Sequence, residues 1–434
     1  MRYLNLDRVR GLKALRRSSS TSAPASPEQL PWVNDHGEPH TRAAAVRNEP
    51  ERLGQILGAT AKTNQYGEYL SLRCWSGEPP GYTPNIEALR LLMPGAPEEV
   101  ADPEQWLFLD TETTGLAGGS GTYAFLVGVA WWEGGGLEIE QFFMREYSEE
   151  RSLLFALRER IAERPVLVTF NGKSFDWPLL ETRYRMSRKL APPVPRAHLD
   201  LLHPARNLWR LRLGSVRLSE LERRVLGSDR GPDVLSDLIP RIYLDFVRGA
   251  SPERLISVFH HNQMDLRGLA ALSSRILSLL GDAENVGQDG FELFGVSRLC
   301  ERRGENARAR NLYEKSIASV LPTETDRAAR TALARLAKRD GDTDLARELW
   351  KSMLGNSRAG YNAYEQLAIH FEHKVRQPQH ALGIVREALS ELRRANQASM
   401  ISPTVYRRTK AEFEHRLSRL ERKAGQTQLE AFEA

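Results

Sequence analysis

The run Trp106 to Leu116, WLFLDTETTGL, constrains this chain more than any other stretch. Its first half is apolar enough for a buried strand, and Asp110 and Glu112 follow two residues apart. Side chains two apart on a strand share a face, so both carboxylates project from one side. Desolvating even one unpaired carboxylate is costly. A divalent cation, which takes hard oxygen ligands, is the usual remedy. Acids beyond the strand's end would instead sit in water, so the argument turns on whether further acids arrive at matching positions.

Two further segments supply them. In VLVTFNGKSFDWPLL (Val166–Leu180) a short apolar strand ends at Phe170, and the polar turn Asn171-Gly172-Lys173 follows. Asp176 then lies two residues into the next helix, just past a strand's carboxyl end, where α/β sheets put their sites. A first-turn carboxylate is also favoured by the helix dipole alone. In SPERLISVFHHNQMDLRGLAAL, Ser251 is an expected N-cap, and Pro252 opens a helix running to about Leu280. Leu255, Phe259, Leu266 and Leu269 form its core stripe, and Asp265 borders that stripe. His261, four residues before Asp265, shares its side; His260 is roughly 140° away on a regular helix. Four acids meeting at one end of a sheet would hold two Mg2+ or Mn2+ ions about 3.5–4 Å apart, one for the attacking water and one for the leaving oxygen of a phosphodiester. An all-carboxylate site favours magnesium; zinc prefers nitrogen or sulfur.

Around these segments the pattern reads β-β-β-α-β-α-β-α-α. YAFLVGVAWW (Tyr123–Trp132) and LEIEQFFM (Leu137–Met144) flank a glycine turn as a hairpin. Helical spacing follows over Glu149–Glu163 and about Ser174–Arg188. A strand is expected near His198–Leu202, and helices over Leu218–Leu226 and from Pro252. An antiparallel meander continuing into alternating α/β is the succession of a ribonuclease-H-like mixed sheet, expected over 105–281. From Phe291 only helices are expected. Gly304, Ala309 and Tyr313 recur 37 residues on as Gly341, Ala346 and Trp350, with a looser copy at Ala381 and Val385. A small residue and an aromatic one turn later, at this period, resemble tetratricopeptide repeats. Three repeats are about the minimum for a stable stack, so an all-α repeat domain is expected over 290–425. Residues 403–423 would be its basic capping helix.

The first 50 residues, Ser/Pro/Ala-rich, read as a disordered basic tail rather than a secretory signal. Residues 51–104 read as an extension packed on the next domain, with a strand in YGEYLSLRCW. No apolar run approaches the roughly eighteen residues of a membrane helix. Cys74 and Cys300 are the only cysteines, which suits a reducing, cytoplasmic setting. The formal net charge of +5 permits a polyanionic partner without demanding one.

Asp110-Thr111-Glu112, Asn171-x4-Asp176 and His261-Asn-x-x-Asp265 resemble the three motifs of the DEDD 3′–5′ exonuclease superfamily. More closely, FLDTETTGLAGGSGTYAFLVGVA, VTFNGKSFDWPLLETRY and HLDLLHPARNLW resemble the YprB-like ribonuclease-H-like family, in which tetratricopeptide repeats sometimes follow. The resemblance covers roughly 105–280 and implies that Asp110, Glu112, Asp176 and Asp265 are metal ligands. That superfamily's general base is a histidine five residues before the last Asp or a tyrosine four before it. This chain carries His260 at the first spacing and His261 at the second, and helical geometry favours His261.

For substrate, Asn171 would bond a sugar or order its turn, Lys173 would meet a phosphate, and Thr111 is grouped with them. Arg206, Arg210, Arg212 and Arg217, with Trp209 among them, suit backbone contact plus base stacking on a single strand. Asp200 and His203 read as structural. The glycine run Gly115–Gly121 lacks the Gly-Lys-Ser/Thr of a phosphate loop and serves a tight turn instead. The expectation is a cytoplasmic metal-dependent 3′–5′ exonuclease on single-stranded DNA or RNA, with a protein partner or substrate positioned by the repeats. The alternative is a catalytically weak adaptor acting through those repeats.

Overall fold

Residues 49–77, 86–115, 121–188, 190–286, 289–355 and 361–433 are described by the computed structural model. The tail expected over 1–50 lies outside them except for its last two residues, as do residues 116–120 of the glycine run.

The strand predicted around Trp106 is β3, Trp106–Thr113. Its first four residues are buried on both faces. Trp106 and Phe108 join one core, and Leu107 and Leu109 the other. Burying each such side chain stabilises by roughly 1.5–3 kcal/mol, so β3 is pinned at the centre of a sheet and its register is fixed.

Six other strands complete a seven-stranded sheet in the order β1-β2-β5-β4-β3-β6-β7. They are β1 (Thr60–Asn64), β2 (Gly67–Ser76), β4 (Ala124–Glu133), β5 (Gly136–Phe143), β6 (Val166–Thr169) and β7 (Ala197–Asp200). β3 runs antiparallel to β4 and parallel to β6, so the sheet is mixed, as the element order predicts. The N-terminal extension does more than pack on the domain. Its hairpin, β1 and β2, continues the sheet past β5.

Helices α1 (Glu49–Leu57), α2 (Ile86–Leu92), α3 (Glu150–Glu163), α4 (Asp176–Met186), α5 (Leu202–Leu213), α6 (Leu218–Leu221) and α7 (Ile239–Val247) accompany the strands. α8, Leu255–Val286 with a break at Asp282, lies across β3, β4 and β5. Gly128 on β4 permits that approach. A Cβ there would fall 2.1 Å from the Asn262 side-chain oxygen and 2.8 Å from Leu266.

The remainder is helical: α9 (Gly290–Arg303), α10 (Asn306–Ala318), α11 (Thr323–Arg339), α12 (Thr343–Ser352), α13 (Asn362–His373), α14 (Pro378–Gln397) and α15 (Pro403–Glu433). The 37-residue pattern has a physical basis. Gly304 and Gly341 follow α9 and α11 at φ 82° and 86°, a left-handed turn suited to glycine. Ala309 and Ala346 are fully buried, with Tyr313 and Trp350 beside them. One apolar core runs without interruption from Trp106 and Phe108 through α8 and α9 to Trp350 and Leu367. No helix among the described residues is long and apolar enough to cross a membrane.

Candidate active site

Asp110 and Glu112 leave the core on the face of β3 that α8 covers. In the register, Asp110 lies opposite Gly128, and Gly128 lies opposite Gln141 on β5. A hydrogen-bond chain crosses these strands. The fully buried Gln141 donates to the Asn262 side-chain oxygen at 2.8 Å, and Asn262 Nδ2 donates to Asp110 Oδ2 at 2.8 Å. Asp110 is therefore aimed by an amide that only the missing Cβ of Gly128 admits.

Asp176 enters from the other side of β3. Thr111 points opposite to Asp110, and its hydroxyl donates to Asp176 Oδ1 at 2.5 Å. That hydroxyl, expected at the substrate, is committed to holding a carboxylate. Asp265 arrives from α8, one turn after His261. The nearest ligand atoms of Glu112, His261 and Asp265 all lie within 4.8 Å of one another. His261 Nε2 is 3.5 Å from Asp265 Oδ2 and 4.0 Å from Glu112 Oε1.

The electrostatics follow from crowding. Burial pushes the Asp110 carboxyl well up, and the charges of Asp265 and Asp176 push it further; Asn262 and Arg230 oppose. Glu112 is raised likewise by burial and then by Asp110 and Asp265. Burial carries Asp176 up to about 6 against the Thr111 hydrogen bond. Each is a buried carboxylate short of positive charge.

Three residues that the sequence reading missed complete the cluster. Asp233, on the segment between the π-helical turn Glu222–Leu226 and α7, accepts from His261 Nδ1 at 2.8–2.9 Å. Burial would raise the Asp233 carboxyl, but His261 holds it below the ordinary value. Arg230 sits 2.5 Å from Asp265 Oδ1 and 2.6 Å from Glu222 Oε1. Its side chain is 7% exposed. Glu222 has its own cradle, since a Cβ on Gly268 would fall 1.5 Å from its carboxylate oxygen. No motif spacing pointed to Arg230, Asp233 or Glu222. The available signal was acids and an arginine punctuated by Gly227 and Gly231.

The other expectations divide. His260 is exposed and away from the acids, which corrects its candidacy as base: its position on α8 turns it outward while His261 is buried. Trp209 is also corrected. It is fully buried and donates its ring N–H to Glu292 Oε1 at 2.8 Å, because α9 covers that side of α5. No base can stack there. Asn171 takes φ 68° and donates its backbone N–H to Asp200 Oδ1 at 2.8 Å, and the Lys173 N–H reaches Asp200 Oδ2 at 3.1 Å. The buried Asp200 thus shapes the turn before Asp176. Asn171 lines a groove that opens from the site, whereas the Lys173 side chain is exposed and not among its lining. Arg206 is exposed and lines the same groove.

The donor set suits a hard divalent cation. Arg230 contacts Glu222, Asp233 and Asp265, but no ion pair among the described residues neutralises Asp110 or Asp176. Oxygen-rich carboxylates with one imidazole in reach fit Mg2+ or Mn2+.

A mixed sheet of this order, with an acidic cluster at the carboxyl end of its central strand β3 and one long helix across it, defines a ribonuclease-H-like domain. Residues 107–277 match the RNase_H superfamily. The "Uncharacterized protein YprB" of Bacillus subtilis (strain 168) is 32% identical over 287 residues, covering 65% of this chain and 69% of that protein. The chain belongs to the RNase H superfamily, as a YprB-like member with a helical C-terminal region. That membership indicates nuclease-type hydrolysis, a nucleic-acid substrate and the use of divalent metal.

Proposed function

We propose that the chain is a metal-dependent 3′–5′ exonuclease that hydrolyses single-stranded nucleic acid to nucleoside 5′-monophosphates. The observation that carries the reading is the convergence of Asp110, Glu112, Asp176 and Asp265 from β3, α4 and α8, where burial raises the carboxyls of Asp110, Glu112 and Asp176. In this reading the four acids would hold two Mg2+ or Mn2+ ions, and such ions would supply activation of the attacking water and stabilisation of the leaving oxygen.

The chain's own groups do the rest. His261 accepts the water's proton at Nε2, the ring nitrogen that faces Glu112 and Asp265. Asp233 fixes that tautomer by accepting from Nδ1. Arg230, clamped by Glu222, offsets part of the charge of Asp265. Gln141 and Asn262 keep Asp110 from turning away.

The test is incubation of the full chain with 3′-end-accessible, 5′-labelled single-stranded DNA and RNA plus Mg2+ or Mn2+, with EDTA controls. The expected products are a ladder shortening from the 3′ end and free mononucleotides. Asp110→Ala and Asp176→Ala should abolish both while the circular-dichroism spectrum is kept. Undiminished hydrolysis by either variant refutes the site. No manganese binding by calorimetry at millimolar metal refutes the metal reading and favours an adaptor.

A further inference from the structure

The acid site opens into a groove of roughly 1070 Å³. One wall is α5, where Arg206 and Arg210 stand one turn apart on an exposed face, and Arg217 follows across the groove. On the adjoining side of α5, beginning at Leu211, lies a second groove of roughly 590 Å³. Beyond Leu211 its lining comes from the helical region: Arg298, Arg302, Arg327 and Arg335 outnumber Glu301 and Glu324, and Arg335 pairs with Glu301. Arg298 and Arg302 are again four residues apart, on α9. Two neighbouring grooves are therefore each edged by an i, i+4 arginine pair.

These arginines differ from most on this molecule, which are paired with acids. No carboxylate of the described residues lies within ion-pair distance of Arg206, Arg210, Arg217, Arg298 or Arg302. Burial, together with the charges of Arg298 and Arg303, pushes the Arg302 guanidinium below its ordinary value. Crowded cations of this kind await an anion. The grooves also carry apolar surface between the charges, for Leu211 is 53% exposed.

α5 and α9 are fastened to each other. Trp209 donates to Glu292, Arg212 pairs with Asp289, and Gly295 meets Leu208 so closely that a Cβ would fall 2.9 Å from its Cα. The spacing between the grooves is fixed by packing rather than by a linker.

We propose that the helical region is itself part of the substrate track: a single strand whose 3′ end lies at the acids runs along Arg206 and Arg210, crosses α5 at Leu211, and continues into the groove of Arg298 and Arg302. This deepens the nuclease reading and rests on it for the identity of the polyanion. Charge complementarity and continuity with the acid site select nucleic acid as the occupant. Phosphates meet the arginine pairs and a base lies against the exposed Leu211, so that the strand is held without sequence preference.

The test uses the full chain in EDTA, so that binding is read without hydrolysis. Fluorescence anisotropy compares 5′-labelled oligothymidylates of about 4 and about 16 nucleotides, within the range that such tracks cover. Arg298→Gln with Arg302→Gln should weaken the long oligomer at least about tenfold and the short one less than about twofold. It should also flatten the salt dependence for the long oligomer by roughly 1.4, at about 0.7 per phosphate contact. Arg206→Gln with Arg210→Gln should weaken both lengths. Arg302→Gln alone, checked by thermal melting, serves if loss of the contact between Arg298 and the Phe294 ring unfolds the double variant, and Arg241→Gln controls for net charge. Equal loss at both lengths, no loss at either, or displacement of the long oligomer by polyaspartate as readily as by unlabelled strand overturns the proposal. Length-dependent binding in a chain that hydrolyses nothing supports the track and refutes the nuclease reading instead.

Discussion

Removing one charge from the acid cluster should stabilise the metal-free protein. Asp176 accepts its hydrogen bond from Thr111 at Oδ1, and asparagine keeps a carbonyl oxygen there. Asp176→Asn therefore deletes charge with little change in shape. In the folded chain its carboxyl is raised from 3.8 to about 6, chiefly by burial. The folded state then binds more protons than the unfolded one between about pH 4 and pH 6. Stability falls across that window, and the deficit is complete above it. Roughly two pH units at 1.36 kcal/mol each is about 3 kcal/mol. Because Asp200 and Asp265 share the repulsion, the variant should gain about 1.5–3 kcal/mol at pH 8. By pH 4.5 the gain should shrink to about a third. Urea unfolding in EDTA at the two pH values measures it. Manganese should reverse the order, since native protein at a hundred times the dissociation constant gains about 2.7 kcal/mol that a ligand-deficient variant forgoes. If Asp176→Asn is no more stable than the parent at pH 8 in EDTA, the account of a cluster lacking positive charge is wrong.

Asp233→Asn should lower kcat by about 10- to 100-fold with KM little changed, the cost typical of losing a carboxylate that orients a site histidine; steady-state kinetics on labelled strand decides it, and an unchanged kcat refutes the orienting role. Gly128→Ala should push Asn262 off Asp110, costing about 1–3 kcal/mol of stability by overpacking and most of the activity, with Gly383→Ala, at an open helical position on α14, as a comparison for general damage. His198, whose ring nitrogen lies 2.9 Å from Thr169 Oγ1, should titrate at about 4 by NMR because burial and Lys173 lower it; a midpoint near 6.5 would contradict its enclosure.

The four acids were legible because each sits at a position that local rules define: strand alternation for Asp110 and Glu112, a strand-to-helix turn for Asp176, and helical phase for Asp265. The same phase separated His261 from His260. Helical phase misled at Trp209, which lies three residues after Arg206 and so near its side of α5. Which neighbour covers a helix is a tertiary fact, and α9 covers this one. Arg230, Asp233 and Glu222 were illegible for a related reason. They lie on an irregular segment without hydrophobic period, and only the cradle at Gly268 and the position of His261 give them meaning. Residues 65–75 read as a strand, but nothing local announced the hairpin with Thr60–Asn64 or that β5 would be its other partner.

The fastening of α5 to α9 has a consequence for what can be threaded past it. On the proposed track, a frame braced across its middle by Trp209 and Glu292 would resist hinging to accept a stiff rod, so that bending would fall to the bound polyanion. Duplex DNA keeps its direction over about 150 base pairs, and a turn over a single helix would cost it dearly, whereas a lone strand swivels at every nucleotide. Discrimination between one strand and two could thus come from rigidity of the protein, with no base being read.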